Sequence, residues 1–208
     1  MAQENYHHDN LKAELIEKGL KLLDEAGYEG FSLRKVAKAC NVSHAAPYRH
    51  FKNKDDLILA IGAQALARFS KSLQSAVDLY PDNPASQLKE MGYAYIRFFT
   101  ENPEYLRLLF LSDFTERISS MGENPSDVHC FKDQMGIEHP FTILYKAVEH
   151  YRARPGASSS DMNQEAMVLH CWGLVHGISI LISRKEFPFQ GEPLELARTI
   201  LWEKAFPD

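Results

Sequence analysis

Apolar residues recur every three or four positions along most of this chain, which is the spacing of one face of a helix. The first such stretch runs from Asp9 to Ala26, and Gly27 follows it where helices commonly end. Its apolar positions are Leu11, Leu15, Ile16, Gly19, Leu20, Leu23 and Ala26. Strict alternation of apolar and polar residues, which is typical of strands, persists nowhere. The pattern therefore predicts an all-α fold.

Two short helical patterns follow the first helix. Ser32 is a favourable N-cap for a helix that ends at Ala39. Ser43 is a second N-cap candidate, and it opens a helical segment that Phe51 closes. A small shared core is predicted from Leu33, Val36, Ala37, Val42 and Phe51. These helices and the first one form a predicted N-terminal three-helix unit.

Longer helical patterns fill the rest of the chain. Asn53 stands three residues before Asp56, as in a capping box, and opens a helix predicted to end near Leu79. Residues 80–84, Tyr-Pro-Asp-Asn-Pro, break the pattern. Further helices are predicted over 85–101, 103–111, 138–152, 161–186 and 193–206, with loops over 122–136 and 154–160. The prediction is a larger C-terminal helical bundle.

Basic residues are concentrated in one part of the chain although the net charge is −5. Between residues 31 and 54 no Asp or Glu occurs, and the basic residues are Arg34, Lys35, Lys38, Arg49, Lys52 and Lys54. A local basic surface on an acidic protein is compatible with binding to nucleic acid, because the distribution of charge matters more than its sum.

The composition is that of a soluble globular protein, with 45% hydrophobic and 25% charged residues. We find no apolar run that suggests a membrane span and no signal-peptide pattern at the N-terminus, so a cytoplasmic protein is expected. Cys40, Cys130 and Cys171 are odd in number and far apart, which favours reduced, mostly buried thiols over a disulfide framework.

Two short helices joined by a tight turn and packed on a longer one form a helix-turn-helix, which places its second helix in the major groove of DNA. Such a unit needs polar groups facing phosphates and small residues beside the base edges. The candidates for phosphate contacts are Ser32, Ser43, Tyr48, His50 and Lys54. Ala45 and Ala46 leave room for close approach to the major groove. Double-stranded DNA is therefore the predicted partner.

Residues 10–60 resemble the DNA-binding domain of the TetR family of transcriptional repressors. The residues that carry the resemblance are Ser43, Ala45, Ala46, Tyr48-Arg49-His50-Phe51, Lys54 and Asp55. The resemblance implies phosphate contacts from Ser32, Tyr48, His50 and Lys54, and base contacts from His44, Ala45, Ala46 and Arg49. It also implies a helix-turn-helix domain over 1–56 and a helical regulatory domain over 57–208.

Pro47 departs from the family pattern, which usually has an aliphatic residue at this place. Proline lacks a backbone N–H, so it is harmless only within the first turn of a helix. If Ser43 is the N-cap, Pro47 loses one helical hydrogen bond; if His44 is the N-cap, it loses none. We therefore predict a regular recognition helix that starts after Ser43 with a 3₁₀-like first turn. Ala46, which precedes proline, is predicted to avoid α geometry.

Sequence-specific DNA binding by such a unit requires a dimer, because one recognition helix reads only a few base pairs. The two recognition helices enter successive major grooves about 34 Å apart, and the operator is a near-palindrome. Most of the affinity is expected from phosphate contacts and falls steeply with salt. His44 and Arg49 are the candidates for base choice.

The stretch HCWGLVHGISILI, residues 170–182, contains Trp172, His176 and Gly177 in the spacing Trp-x-x-x-His-Gly. This string resembles the signature of a TetR-family C-terminal domain called WHG. Gly173 and Gly177 lie on one helix face that another helix could approach closely, and the resemblance implies a homodimer through helices 161–186 and 193–206. The alternatives are that His176 is a hydrogen-bonded core residue and that Gly177 is a helix C-cap.

Aromatic residues are dense between Tyr93 and Phe114. Such a stripe is commonly packing core, yet an apolar cavity between helices is also where small effectors bind. The resemblance implies an effector in the bundle that moves the DNA-binding heads apart and lowers operator affinity. For a small apolar or aromatic effector, the candidate pocket residues are Tyr95, Phe99, Phe110, Phe114, Trp172 and His176.

The chain has no motif for catalysis or for a cofactor: Ser-His-Asp order, a Gly-rich phosphate loop and HExxH are all missing. The pairs His129-Cys130 and His170-Cys171 lack further ligands at helical spacing, so no metal site is predicted. Besides a ligand-released repressor, two interpretations stay open. One is a helical small-molecule-binding protein or enzyme that keeps the helix-turn-helix as scaffold, and the other is an activator or a constitutive DNA-binding protein.

Overall fold

The computed structural model describes residues 2–111, 136–156, 162–184 and 190–205, without the side chains of residues 2–10 and Lys204. Its elements are, in chain order, α1 (Ala2–Gly30), α2 (Leu33–Ala39), a 3₁₀ turn (Pro47–Arg49), α3 (Lys54–Asp78), α4 (Pro84–Glu101), α5 (Pro103–Leu106), a π-helical turn (Arg107–Leu111), α6 (Pro140–Arg152), α7 (Gln164–Ser183), α8 (Pro193–Ile200) and a second π-helical turn (Leu201–Ala205). The predicted all-α fold is confirmed.

The chain divides into two compact units. The N-terminal unit consists of Met1–Ala65 with Arg107–Pro125, and the C-terminal unit consists of Leu66–Leu106 with Ser126–Asp208. Each unit has its own buried apolar core in the part of the chain that the structure describes.

A kink at Gly27 interrupts α1. Gly27 has φ 65° and ψ 177°, a conformation that is open essentially to glycine alone. The helical turn resumes after it and ends at Gly30. The predicted bounds of Asp9 and Ala26 were therefore too narrow, because helical backbone continues on both sides, but the interruption at Gly27 lies where the sequence indicated.

The core of the N-terminal unit joins α1, α2 and α3. A Cβ added at Gly19 would lie 3.0 Å from Ile61 Cδ1, so glycine lets α1 approach α3 closely. Of the predicted small core, Val42 is only half-buried. The buried apolar residues of this unit are Leu15, Ile16, Leu20, Phe31, Leu33, Val36, Ala37, Cys40, Phe51, Leu57, Ile58, Ile61 and Ala65.

Side chains cap α2 and α3 as the sequence indicates. Ser32 Oγ accepts a hydrogen bond from Lys35 N at 3.3 Å, which satisfies one N–H of the first turn of α2. At the start of α3, Asn53 Oδ1 accepts from Asp56 N at 2.9 Å. Asp56 Oδ2 accepts in turn from Lys52 N at 2.9 Å. These bonds fix where both helices begin.

In the C-terminal unit, α4 packs against α6, α7 and α8. A Cβ added at Gly92 would lie 3.1 Å from Leu201 Cδ2 and 3.3 Å from Val175 Cγ1, so α4 also passes these neighbours closely. Aromatic rings fill the centre of the unit: the Phe69 ring centroid lies within 5.0 Å of Tyr95 and 4.8 Å of Phe99. Aromatic residues that are dense in the sequence, such as Tyr95 and Phe99, thus lie in a packed aromatic core.

Three predicted helices differ from the structure in their ends. The helix predicted over 103–111 is a short α-helix followed by a π-helical turn, and the one over 193–206 divides in the same way at Leu201. Helix α7 ends at Ser183, so Gly177 lies inside the helix and the C-cap interpretation was wrong. Most of the two predicted loops, together with Cys130, lies outside the described residues.

The two cysteines that the structure describes, Cys40 and Cys171, are free and buried. Burial raises the pKa of the Cys171 thiol to about 12 and raises the pKa of Cys40 as well. Both thiols are therefore protonated near neutral pH and serve as small core side chains.

The Gly27 kink leads to a stability prediction. Gly27→Ala lowers the free energy of unfolding by about 1–3 kcal/mol, because an L residue is strained at this backbone conformation. Chemical denaturation measures the change. Ala13→Ser, an exposed substitution in the same helix, is the control and changes it by less than about 0.7 kcal/mol. Equal effects of the two substitutions would contradict the strain.

Candidate functional site

Residues 43–51 form a turn and a 3₁₀ helix over Pro47–Arg49, not the α-helix that the sequence predicted. Ala46 N donates to Ser43 O at 3.0 Å, and the carbonyl oxygen of Pro47 accepts from both His50 N and Phe51 N at 2.9 Å. A 3₁₀-like turn was predicted, but the regular helix expected after it is absent from this segment. Pro47 has no N–H to donate to Ser43 O, so an α-helix that began at Ser43 would lack this bond.

The start of this turn corrects two further expectations. Ala46, and neither Ser43 nor His44, occupies the N-cap position, and no side chain caps it. Ala46 has φ −61° and ψ −44°, so it adopts the α geometry that a residue before proline usually avoids. The hydrogen bond from Ala46 N to Ser43 O closes a turn that holds it there. Pro47 is the first residue of the 3₁₀ helix, where its missing N–H costs nothing.

The structure brings most of the predicted DNA-contacting residues together on this segment. Ser43, His44, Ala45, Tyr48 and Arg49 are exposed, while Ala46 and His50 are half-buried. Pro47 and Phe51 point into the core. The buried apolar residues therefore anchor the segment to the core, and most of its polar side chains are exposed to solvent.

Two predicted phosphate contacts lie on other elements of the N-terminal unit. Ser32 is half-buried at the start of α2, where its hydroxyl accepts the capping bond from Lys35 N. Lys54 is the first residue of α3, and its Nζ lies 3.7 Å from the centroid of the Tyr28 ring. Tyr28 was not predicted from the sequence, because no local sequence pattern links it to Lys54, which lies 26 positions further along the chain.

A second group of predicted residues meets around Tyr95 in the C-terminal unit. Tyr95 Oη and His176 Nδ1 are 2.9 Å apart, and the Tyr95 hydroxyl also forms a side-chain hydrogen bond with Trp172. The Phe99 ring centroid lies 5.0 Å from that of Tyr95. Phe110 lies in the π-helical turn assigned to the N-terminal unit, and Phe114 lies outside the described residues.

Burial keeps both the Tyr95 phenol and the His176 imidazole neutral. Burial raises the pKa of the Tyr95 phenol, against a smaller opposing effect of the hydrogen bond with Trp172. Burial also lowers the pKa of His176. Of the alternative that His176 is a hydrogen-bonded core residue, the structure shows the hydrogen bond to Tyr95, but the residue is half-buried and not in the core. The group offers a neutral, mostly aromatic surface with hydroxyl, imidazole and indole groups.

One row of residues on α7 lies uncovered. Leu169, Gly173, Gly177 and Leu181 follow one another at intervals of four, so they lie along one face of the helix. Leu169 is 70% and Leu181 55% exposed. A Cβ added at either glycine meets no atom within 4 Å. This face, the Leu-Gly-Gly-Leu row, has the small middle and apolar ends that suit close packing of a second helix.

Helix α7 is also long and apolar enough to cross a membrane, and only 22% of the stretch is buried. One such helix is weak evidence for a membrane span, because helices of soluble proteins pass the same test. Among the described residues no three His, Cys, Asp or Glu side chains lie together as metal ligands. His129 and Cys130 lie outside them.

Comparison with known proteins assigns both parts of the chain. Residues 15–61 match a family model described as bacterial regulatory proteins, tetR family, and residues 88–202 match a tetracyclin repressor-like C-terminal domain. The HTH-type transcriptional regulator YvkB of Bacillus subtilis is 33% identical over 189 residues, which cover 79% of this chain and 95% of that protein. The chain belongs to the TetR family.

Solved TetR-family structures share the fold. A regulator from Marinobacter aquaeolei superposes with a TM-score of 0.70 at 17% identity, covering 99% of this chain and 98% of its own. AibR, in a complex with isovaleryl coenzyme A and operator DNA, gives a TM-score of 0.67 at 21% identity and covers 91% of this chain and 95% of its own. At these identities the likeness concerns the fold alone. The WHG resemblance stays a prediction.

The two groups of residues lie within the two matched domains of the TetR family. The N-terminal match includes Ser32, the 43–51 segment and Lys54, and the C-terminal match includes Tyr95 and His176. The protein is thus a TetR-family transcriptional regulator with a DNA-binding domain and a C-terminal ligand-binding domain.

The lowered pKa of His176 predicts acid sensitivity of this TetR-family protein. As the pH falls below the ordinary histidine value of 6.5, the unfolded chain binds a proton before the folded chain does, so the free energy of unfolding falls until the pH reaches the lowered folded value. His176→Gln removes this contribution. Denaturation from about pH 7 to about pH 5 measures a weaker pH dependence in the variant, and an unchanged dependence would contradict the lowered pKa of the half-buried imidazole.

Proposed function

We propose that this TetR-family regulator is a homodimeric transcriptional repressor, which binds a near-palindromic operator and is released by a small apolar or aromatic effector. In this proposal residues 1–56 are the DNA-binding domain, and residues 57–208 bind the effector and form the dimer. The observation that carries it is the exposure of Ser43, His44, Ala45, Tyr48 and Arg49 on a segment that the buried Pro47 and Phe51 anchor.

The exposed residues of the 43–51 segment have the chemistry for base and phosphate contacts. Arg49 is exposed and its guanidinium can pair with two acceptors of one guanine. The exposed His44 offers a second polar contact, and Ala45 beside it adds little bulk between backbone and base edges. Proposed phosphate contacts come from Ser32, Ser43, Tyr48, His50 and Lys54.

Dimerisation through α7 and α8, within residues 161–186 and 193–206, is supported by their uncovered apolar faces. The Leu-Gly-Gly-Leu row of α7 leaves contiguous apolar surface in contact with water, which is unusual for a monomeric protein. Leu196 and Ile200, four residues apart on α8, are exposed as well. Two copies related by a twofold axis would cover the same patch on each other.

The residues around Tyr95 are the proposed effector site. Tyr95, Phe99, Trp172 and His176 combine aromatic surface with a few neutral hydrogen-bonding groups, as small-molecule sites do. A neutral group on the effector would replace the bond between Tyr95 Oη and His176 Nδ1. AibR, which has this fold, was solved with both isovaleryl coenzyme A and operator DNA.

Release from DNA follows from differential affinity. An effector lowers operator affinity only if it binds more tightly to the conformation that does not fit DNA, and by reciprocity the operator then weakens effector binding by the same factor. A protein with this role acts on chromosomal DNA, so we place it in the cytoplasm.

Arg49→Ala tests direct reading of bases. The variant should lose about 5- to 150-fold of the wild-type preference for its selected duplex over mixed-sequence duplex, which corresponds to about 1–3 kcal/mol. The selected duplex is recovered with the wild-type protein from a random-sequence pool, and fluorescence anisotropy gives both affinities. Lys71→Ala removes an exposed cation of the C-terminal unit and serves as the control. An unchanged preference in Arg49→Ala would rule out base reading by Arg49.

Leu181→Glu tests the proposed dimer face. Two unpaired carboxylates in an apolar seam should raise the dimer dissociation constant by at least about 100-fold, and sedimentation velocity should then find monomers. Leu79→Glu is the matched control, because Leu79 is 64% exposed and lies outside the proposed face. A Leu181→Glu protein that remains as dimeric as Leu79→Glu would refute this interface.

A further inference from the structure

Three side chains meet where α1 ends and α3 begins. Lys54 Nζ lies 3.7 Å from the centroid of the Tyr28 ring and donates a hydrogen bond to Tyr28 O at 3.4 Å. Tyr28 Oη donates to Asp55 Oδ1 at 2.8 Å. Tyr28 directly follows the Gly27 kink. All of these residues belong to the N-terminal unit.

The contacts fix a side chain that is ordinarily mobile. A lysine ammonium is a compact charge on a flexible stem, and ordering it costs rotamer entropy. Here the ring face attracts the charge and the Tyr28 carbonyl takes one of its three N–H donors, while the bond to Asp55 holds the ring in place. Lys54 is half-buried, not enclosed, and the carbonyl of Tyr28 takes only one of the three donors of its ammonium.

We propose that Tyr28 is a positioning residue of the DNA interface, which holds the Lys54 ammonium in place for a DNA phosphate. This inference rests on the proposed DNA binding and on the phosphate contact assigned to Lys54. With the ammonium already ordered, the bound state does not have to restrict the lysine again, and less of the phosphate attraction is lost to entropy. No sequence motif assigns such a role to Tyr28.

The salt dependence of DNA binding separates positioning from a purely structural role. Each phosphate neutralised by the protein contributes about 0.9 to the slope of log affinity against log salt. Tyr28→Leu removes the ring face and should lower this slope by about as much as Lys54→Met. The proposed dimer carries two Lys54 side chains, so the slope should fall by about 1.8, and between about 50 and about 200 mM salt the wild-type advantage over either variant should shrink about 12-fold. Tyr28→Phe keeps the ring face and the carbonyl and loses only the bond to Asp55, so its slope should lie closer to wild type than to Tyr28→Leu.

The experiment titrates full-length wild type, Tyr28→Leu, Lys54→Met and their double variant with the duplex that wild type selects from a random-sequence pool. The double variant should bind no more weakly than Lys54→Met within twofold, because both substitutions remove one contact. Circular dichroism confirms that each variant is folded at the assay temperature. If Tyr28→Leu is not folded, a protein with pentafluorophenylalanine at position 28 takes its place. This residue has the ring shape of the phenylalanine in Tyr28→Phe but lacks the negative ring face.

The outcomes are distinct. A folded Tyr28→Leu or pentafluorophenylalanine protein with the wild-type salt slope would overturn the positioning role, and so would fully additive losses in the double variant. In both cases the proposed regulator function stands as long as wild type binds its selected duplex. A wild-type protein that selects no duplex from the pool refutes that function and, with it, the role of Tyr28.

Discussion

Burial of Pro47 and Phe51 anchors the segment from which the exposed polar residues of the proposed DNA-binding surface project. The two lie four residues apart and are joined by the bond from Phe51 N to Pro47 O, so the chain between them has one turn in which to expose Tyr48 and Arg49. Because proline also fixes its own φ, the backbone enters this turn in a restricted geometry. A site on a rigid support holds its contacts more accurately than a site on a free loop.

Buried aromatic residues also hold a polar group in place in the C-terminal unit. Phe69 and Phe99 lock Tyr95 into the aromatic core, and its hydroxyl reaches His176 and Trp172. Burial keeps the phenol and the imidazole neutral. On α7, by contrast, the Leu-Gly-Gly-Leu row leaves apolar side chains exposed to water.

Local signals predicted the helices, and tertiary contacts explain what they missed. Apolar periodicity gave the all-α fold, and capping residues such as Ser32 and Asn53 marked the helix starts, because these signals act within one or two turns. The 43–51 segment kept a helical pattern but contains a 3₁₀ turn, since Pro47 has no N–H for an α-helical bond to Ser43 O. The π-helical turns have no comparable signal. Tyr28 could not be found from spacing, because its partners lie on another helix.

The most direct test of the account is hydroxyl-radical footprinting of the full-length protein on its selected duplex. A dimer that presents two copies of the 43–51 segment should protect two backbone stretches centred about one helical turn, or a small multiple of it, apart, with protection lost as salt rises. Uniform cleavage along the duplex at low salt, or a single protected stretch without a symmetry-related second one, would contradict a dimeric, sequence-reading TetR-family repressor.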